Sequence, residues 1–147
     1  MPQGLEGDFA GLAAVIGELE GMADLVGDIC VESSAEIEQA IDSQFTLGTD
    51  PYGKAWAPLK ASTLKRHPHR HDPPLTDTGA MRSSVTVQAT MDFIGVTIAD
   101  PAGYHQDGTD HMVSRPIIPS DARGIPPAWE AAIRDAGMRV IDRRWGQ

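Results

Sequence analysis

At 147 residues, 41% of them apolar, the chain suits one domain with one core, large enough to bury most of its apolar surface without external staples. Cys30 is the only cysteine, which excludes an intrachain disulfide and a multi-cysteine metal site and fits a reducing compartment. The net charge of −9 is unevenly spread: residues 1–50 hold eleven carboxylates and no Lys or Arg, against ten acids and twelve bases in residues 51–147.

From Phe9 to Phe45 the apolar residues Leu12, Ile16, Leu19, Ala23, Val26, Cys30, Ile37, Ile41 and Phe45 recur at helical steps, with the carboxylates largely on the other sides. Ser33-Ser34-Ala35-Glu36 has the S-x-x-E form of a capping box, so two helices meeting there are expected. Gly17, Gly21 and Gly27 each cost about 1 kcal/mol relative to Ala in a helix interior, which makes the first half the softer one. Gly48 suits the position just past a helix end, and Pro51 cannot continue the ladder. Trp56 and Leu59 anchor the following loop, and Ser62 to Arg66 suits a short helical turn. The proline-rich stretch from His67 to Pro74 reads as an exposed irregular loop.

From Val85 the period changes to two. Val85, Val87 and Ala89, then Ile94, Val96 and Ile98, predict a hairpin with one buried face. Arg115-Pro116-Ile117-Ile118-Pro119 is expected as a short strand or an extended edge segment, since its prolines disfavour a sheet centre. Pro126-Pro127 opens a last helix with Trp129, Ala132, Ile133, Ala136, Val140 and Ile141 on its apolar face. Arg134, Arg139, Arg143 and Arg144 crowd its second half, the favourable end of the helix dipole. The order predicts an α+β fold, with N-terminal helices and a C-terminal helix packed on a small antiparallel β-sheet with long loops. It reads as a single domain over 1–147. An acidic helical segment (1–47) is followed by a loop with short helices (48–84), a hairpin with edge strand (85–119) and a C-terminal helix (125–144).

Candidate chemistry is thin. His67, His69 and His71 at alternate positions, with Asp72, His105 or His111, are the only metal candidates, and Pro68 breaks their local geometry, so a solvated basic loop is the reading. Cys30 falls on the apolar stripe and is expected in the core. No G-x-S-x-G, Walker or Rossmann pattern occurs, and no catalytic residue or cofactor is assigned. Tyr104 to Thr109 reads either as a turn with Tyr104 packed inward and Gly108 at positive φ, or as an exposed loop facing another subunit. The N-terminus lacks a basic n-region followed by an apolar run, and no stretch of about 18 apolar residues occurs, so neither a secretory signal nor a membrane span is expected. The acidic first third should repel DNA phosphates. It serves as a solvated face, meets a basic face on a neighbouring subunit, or lines a channel through which DNA slides.

Four blocks carry a resemblance to the phage virion morphogenesis family. Asp50 to Leu59, with Trp56, is similar to the family's D-P-x-G-x-x-W-x-x-L block, preceded by Phe45 and followed by Thr63-Leu64-Lys65. Leu75 to Ser84 resembles its L-x-x-T-G-x-L-x-x-S block with Met81 for leucine, and Tyr104 to Thr109 its tyrosine and H-Q-x-G-T-like turn. Arg115 to Pro119 stands where the family has an R-P-F-L-G-like segment and lacks the aromatic and the glycine. The resemblance covers roughly residues 35–142. It implies a virion protein in tail completion at the head–tail junction, assembling as a cyclic homo-oligomer, a hexamer or dodecamer. Its expected neighbours are other neck, connector or tail-tube proteins, with genome DNA at most passing through the lumen. The alternatives are a tail terminator or minor tail protein, and a metal-dependent enzyme using the His67–His71 loop. Subunit contacts are expected at Trp56, Lys60, Lys65, Arg66, Arg70, Tyr104, His105, Arg139, Arg143 and Arg144, with acidic helices of one subunit meeting basic elements of the next.

Overall fold

The long apolar stripe near the N-terminus forms one helix. In a computed structural model that describes residues 9–70, 74–76 and 79–146, α1 runs unbroken over Phe9–Leu47, 39 residues, or about 58 Å at the helical rise. The two helices expected around Ser33–Glu36 are therefore one. Neither half of the capping box acts as a cap: the Ser33 hydroxyl is buried without a hydrogen-bond partner among the described residues, and Glu36 accepts from Arg139 at 2.7 Å, while the neighbouring Ser34 hydroxyl donates back to the Val31 carbonyl at 2.7 Å. A serine that bonds back into its own helix no longer competes with the helical ladder. The helix stops where expected. Gly48 has φ 70°, and the Thr49 amide reaches back to the Gln44 carbonyl at 3.0 Å, closing the end as a Schellman turn.

Short elements follow: α2 (Ala61–Arg66), α3 (Ala80–Ser83), β1 (Val85–Ala89), β2 (Ile94–Ile98), α4 (Ala102–Asp107) and α5 (Pro127–Trp145). The strands pair antiparallel, Val85 with Ile98, Val87 with Val96 and Ala89 with Ile94, as the period-two pattern predicts. The Thr90 hydroxyl closes their turn by accepting from the Phe93 amide at 3.1 Å. A two-stranded sheet is marginal alone, and this one leans on α1. Ile37, Ile41 and Phe45 of α1 form the core with Trp56, Val85, Ala102, Ile117 and Trp129, while Ile94, Val96 and Ile98 pack against it. The architecture is α+β, as expected.

α5 lies antiparallel along α1. Trp129 near its start donates from Nε1 to Gln44 Oε1 at 3.2 Å, and Arg144 near its end donates to the Gly21 carbonyl at 2.8 Å. Ala136 and Val140 of α5 and Cys30 of α1 are buried. Beside this apolar seam runs a row of ion pairs: Arg139 to Glu32 at 2.8 Å and to Glu36, Arg143 to Glu32, and Arg144 to Asp28 at 3.1 Å. On its other side α1 is held by Arg82, which reaches Asp42 and Glu38.

Arg115–Pro119 forms no strand. Its backbone groups are taken by side chains instead of a sheet partner. Gln106 Oε1 accepts from the amides of Ile117 at 2.7 Å and Ile118 at 3.0 Å, and Gln106 Nε2 donates to the Ile118 carbonyl at 2.9 Å. Gln44 donates to the Ile117 carbonyl at 2.9 Å, and Trp56 Nε1 to the Pro116 carbonyl at 2.7 Å. One glutamine thus supplies what an edge strand would. The prolines at 116 and 119 lack the amides that a ladder needs, which is why side chains serve here.

Two predictions follow from these contacts. Hydrogen bonds from Arg143 and then Arg139 push the Glu32 carboxyl from 4.5 down to about 2. A folded-state value below the unfolded one adds stability that is fully present above pH 4.5 and is lost as pH falls toward 2. Thermal unfolding followed by circular dichroism should therefore show wild type losing more stability than Glu32→Gln over that acid range, and parallel curves would remove the linkage. Gln106→Leu leaves three backbone groups without their partner and should cost about 2–3 kcal/mol in urea unfolding, while Gln106→Glu, which keeps an acceptor for the two amides, should cost less.

Candidate assembly interface

Three of the four loop blocks, those around Asp50, Tyr104 and Arg115, are tied to other parts of the chain by hydrogen bonds. Asp50 is buried, and its Oδ1 accepts from the amides of Tyr52 and Lys54, both at 2.9 Å. This aspartate shapes the turn that presents Tyr52. The Tyr52 hydroxyl donates to the Gly124 carbonyl at 2.6 Å, and the Arg123 guanidinium lies 3.6 Å over its ring. Arg115, buried, donates from Nε to the Ala57 carbonyl at 2.8 Å and from Nη2 to the Pro58 carbonyl at 3.1 Å. Gly108 has φ 77°, and a Cβ there would meet the Met112 carbonyl oxygen and the Ser114 amide nitrogen at 2.8 Å each. Only glycine fits that crossing.

The residues expected at subunit contacts separate by environment. Trp56 is core: its ring meets Phe45 edge-on at 5.4 Å and it is buried, so it is not a surface anchor. Arg139, Arg143 and Arg144 pair with carboxylates of α1 in the same chain; the acid–base meeting expected between subunits takes place within one. Lys60, Lys65, Arg66 and Arg70 are exposed around α2, and among the described residues none of the four has a carboxylate partner. Tyr104 does not pack inward. It stands 55% exposed on α4, while Ala102 of the same helix fills the core.

Lys60 and Arg70 border a cavity of about 430 Å³ whose walls include Leu75, Met81, Met112, His105 and Arg115. Among the described residues no carboxylate lines it. His105 Nδ1 is buried there without a hydrogen-bond partner among the described residues. Burial first, then the charges of Arg115 and Arg70, lower its pKa below the usual 6.5. Among the described residues its walls combine apolar side chains with the buried Arg115 and His105, and Lys60 and Arg70 stand at its margin. His67 and His69 stack edge-on at 5.8 Å; among the described residues no group of three or more His, Cys, Asp or Glu is placed to hold a metal. His71 and Asp72, the rest of that motif, lie outside the described residues. No helix among the described residues is long and apolar enough to cross a membrane.

The feature that pattern reading misplaced is the first half of α1. Leu12, Ile16, Leu19, Ala23, Val26 and Cys30 continue on one face into Ile37, Ile41 and Phe45 by steps of three and four. Cys30 onward is buried, but every residue from Leu12 to Glu20 is exposed, Leu12 at 55% and Leu19 at 59%. Val15 and Met22 widen the exposed stripe. Periodicity reports an apolar face, not whether the same chain covers it. Here α5 ends beside Gly21, and the first turns of α1 run on past it.

Comparison with known proteins agrees with this picture of a small domain made for contacts. A family model described as the phage virion morphogenesis family matches residues 8–134. No curated protein and no solved structure matches the chain. The matched span takes in the whole of α1, the hairpin, the four loop blocks and the first turns of α5, and the chain belongs to the phage virion morphogenesis family.

Proposed function

We infer that this chain is a structural virion subunit acting in tail completion, at the neck where head joins tail, and that it works as a ring rather than as a catalyst. Family membership supports a role in virion morphogenesis. The observation that carries the finer reading is the uncovered stripe from Leu12 to Val26 on a helix that outruns its partner. Large apolar side chains exposed in a row along one helix face mark a surface made for another protein. The partners that fit are further copies of the chain in a cyclic hexamer or dodecamer, flanked by connector and tail-tube proteins. The carboxylates of α1 suit a wall that DNA passes without adhering, because they repel phosphates.

Mass spectrometry of purified virions should find the chain in a small fixed copy number. Depleting it during infection should leave filled heads and finished tails of normal length unjoined, restored by supplying the chain in trans. Tails of abnormal length would instead favour a tail terminator. Joined, infectious particles without the chain would remove the reading.

A further inference from the structure

We propose that the projecting end of α1 docks into the basic-rimmed cavity of a second copy of this chain, so that each subunit is a donor at one end and an acceptor at the other. The proposal rests on the ring reading above and names the contact that makes the ring.

The two surfaces are complementary in shape class and in charge. The donor offers Leu12, Ile16 and Leu19 on one face of an exposed helix. Glu18 and Glu20 stand about 100° to either side of Leu19, so carboxylates flank the apolar ridge. The acceptor is a cavity of about 430 Å³ with Leu75, Met81 and Met112 in its wall and Lys60 and Arg70 at its margin. That volume takes apolar side chains from the ridge, not a whole helix. The flanking carboxylates would then meet the lysine and arginine at the rim, where charge sets orientation and encounter rate more than affinity.

Pairing two donor ends with each other is the rival arrangement, and charge opposes it. Along its described length the projecting end carries Glu18, Glu20 and Asp24 and no Lys or Arg, so side-by-side α1 ends would bring like charges together. Docking within one chain is excluded by distance. Leu75 and Met81 of the cavity pack on the core that contains Phe45, and Ile16 lies roughly 40 Å up the same rigid helix from Phe45. A contact between two different patches is heterologous and repeats from copy to copy, which yields a closed ring or a filament.

The test uses the full chain and two double variants. Ile16→Asp with Leu19→Asp removes the ridge at exposed positions, and Lys60→Glu with Arg70→Glu reverses the rim at exposed positions. Circular dichroism melting checks that both still fold. By sizing chromatography with light scattering, wild type should assemble, and each variant should weaken self-association by about tenfold or more. Mixed in equal amounts, the two variants should give a discrete dimer, because one intact ridge then meets one intact cavity and nothing further can add. Variants that assemble like wild type, or a mixture that stays monomeric, would overturn the docking. So would a wild-type chain that remains monomeric at millimolar concentration. The virion role fails separately, if the chain is absent from purified particles.

Discussion

The fold depends on satisfying one short stretch of backbone. Residues 115–118 run through the core with Ile117 fully buried, and their amides and carbonyls have no strand beside them. Left bare, each such group would cost about 1–3 kcal/mol. Gln44 from α1, Trp56 from the first block and Gln106 from α4 take up these groups, and the His105 carbonyl accepts from the Arg115 amide at 2.7 Å. Arg115 returns the arrangement by holding the carbonyls of Ala57 and Pro58. Segments up to 73 residues apart in sequence are thereby pinned to one centre. Three of the four blocks, together with Gln44, are the parts of a single polar staple, which accounts for the single glutamine, arginine and tryptophan they contain.

Charge has a different task. The arginines of α5 and the carboxylates of α1 are partly exposed, and pairs of that kind contribute little stability each. The apolar seam of Cys30, Ala136 and Val140 does more of the holding. The ion pairs set which turn of α5 lies against which turn of α1, and so where α5 ends. Because it ends beside Gly21, the length of α1 beyond that point is uncovered. A register fixed by Arg139, Arg143 and Arg144 thus decides how much apolar helix is left uncovered by α5.

Some elements were plain from the residues. The alternation at 85–98 specified the hairpin, Gly48 marked the helix end, and Pro127 marked the start of α5, because each rests on local sterics or a local period. The failures share one cause. The serines at 33 and 34 read as a cap only if Glu36 is available, and Arg139 from the far end of the chain takes it. Trp56 looked like a loop anchor for a neighbour, but Phe45 and the Pro116 carbonyl claim it from within. Tyr104 and Ala102 share a helix that local pattern could not orient.

The sequence by itself determined the α+β class, the hairpin, the division of charge between the first third and the rest, and the kinship of the blocks, since all of these depend on spacing and residue type. Only the tertiary structure decided which half of the apolar stripe is core and which half is surface. That outcome turns on where a second helix stops, and a periodic pattern in α1 contains no information about the length of its partner. The same folding that pairs the arginines of α5 with α1 leaves Lys60 and Arg70 exposed beside a cavity, because those pairings depend on which helices meet and not on local sequence.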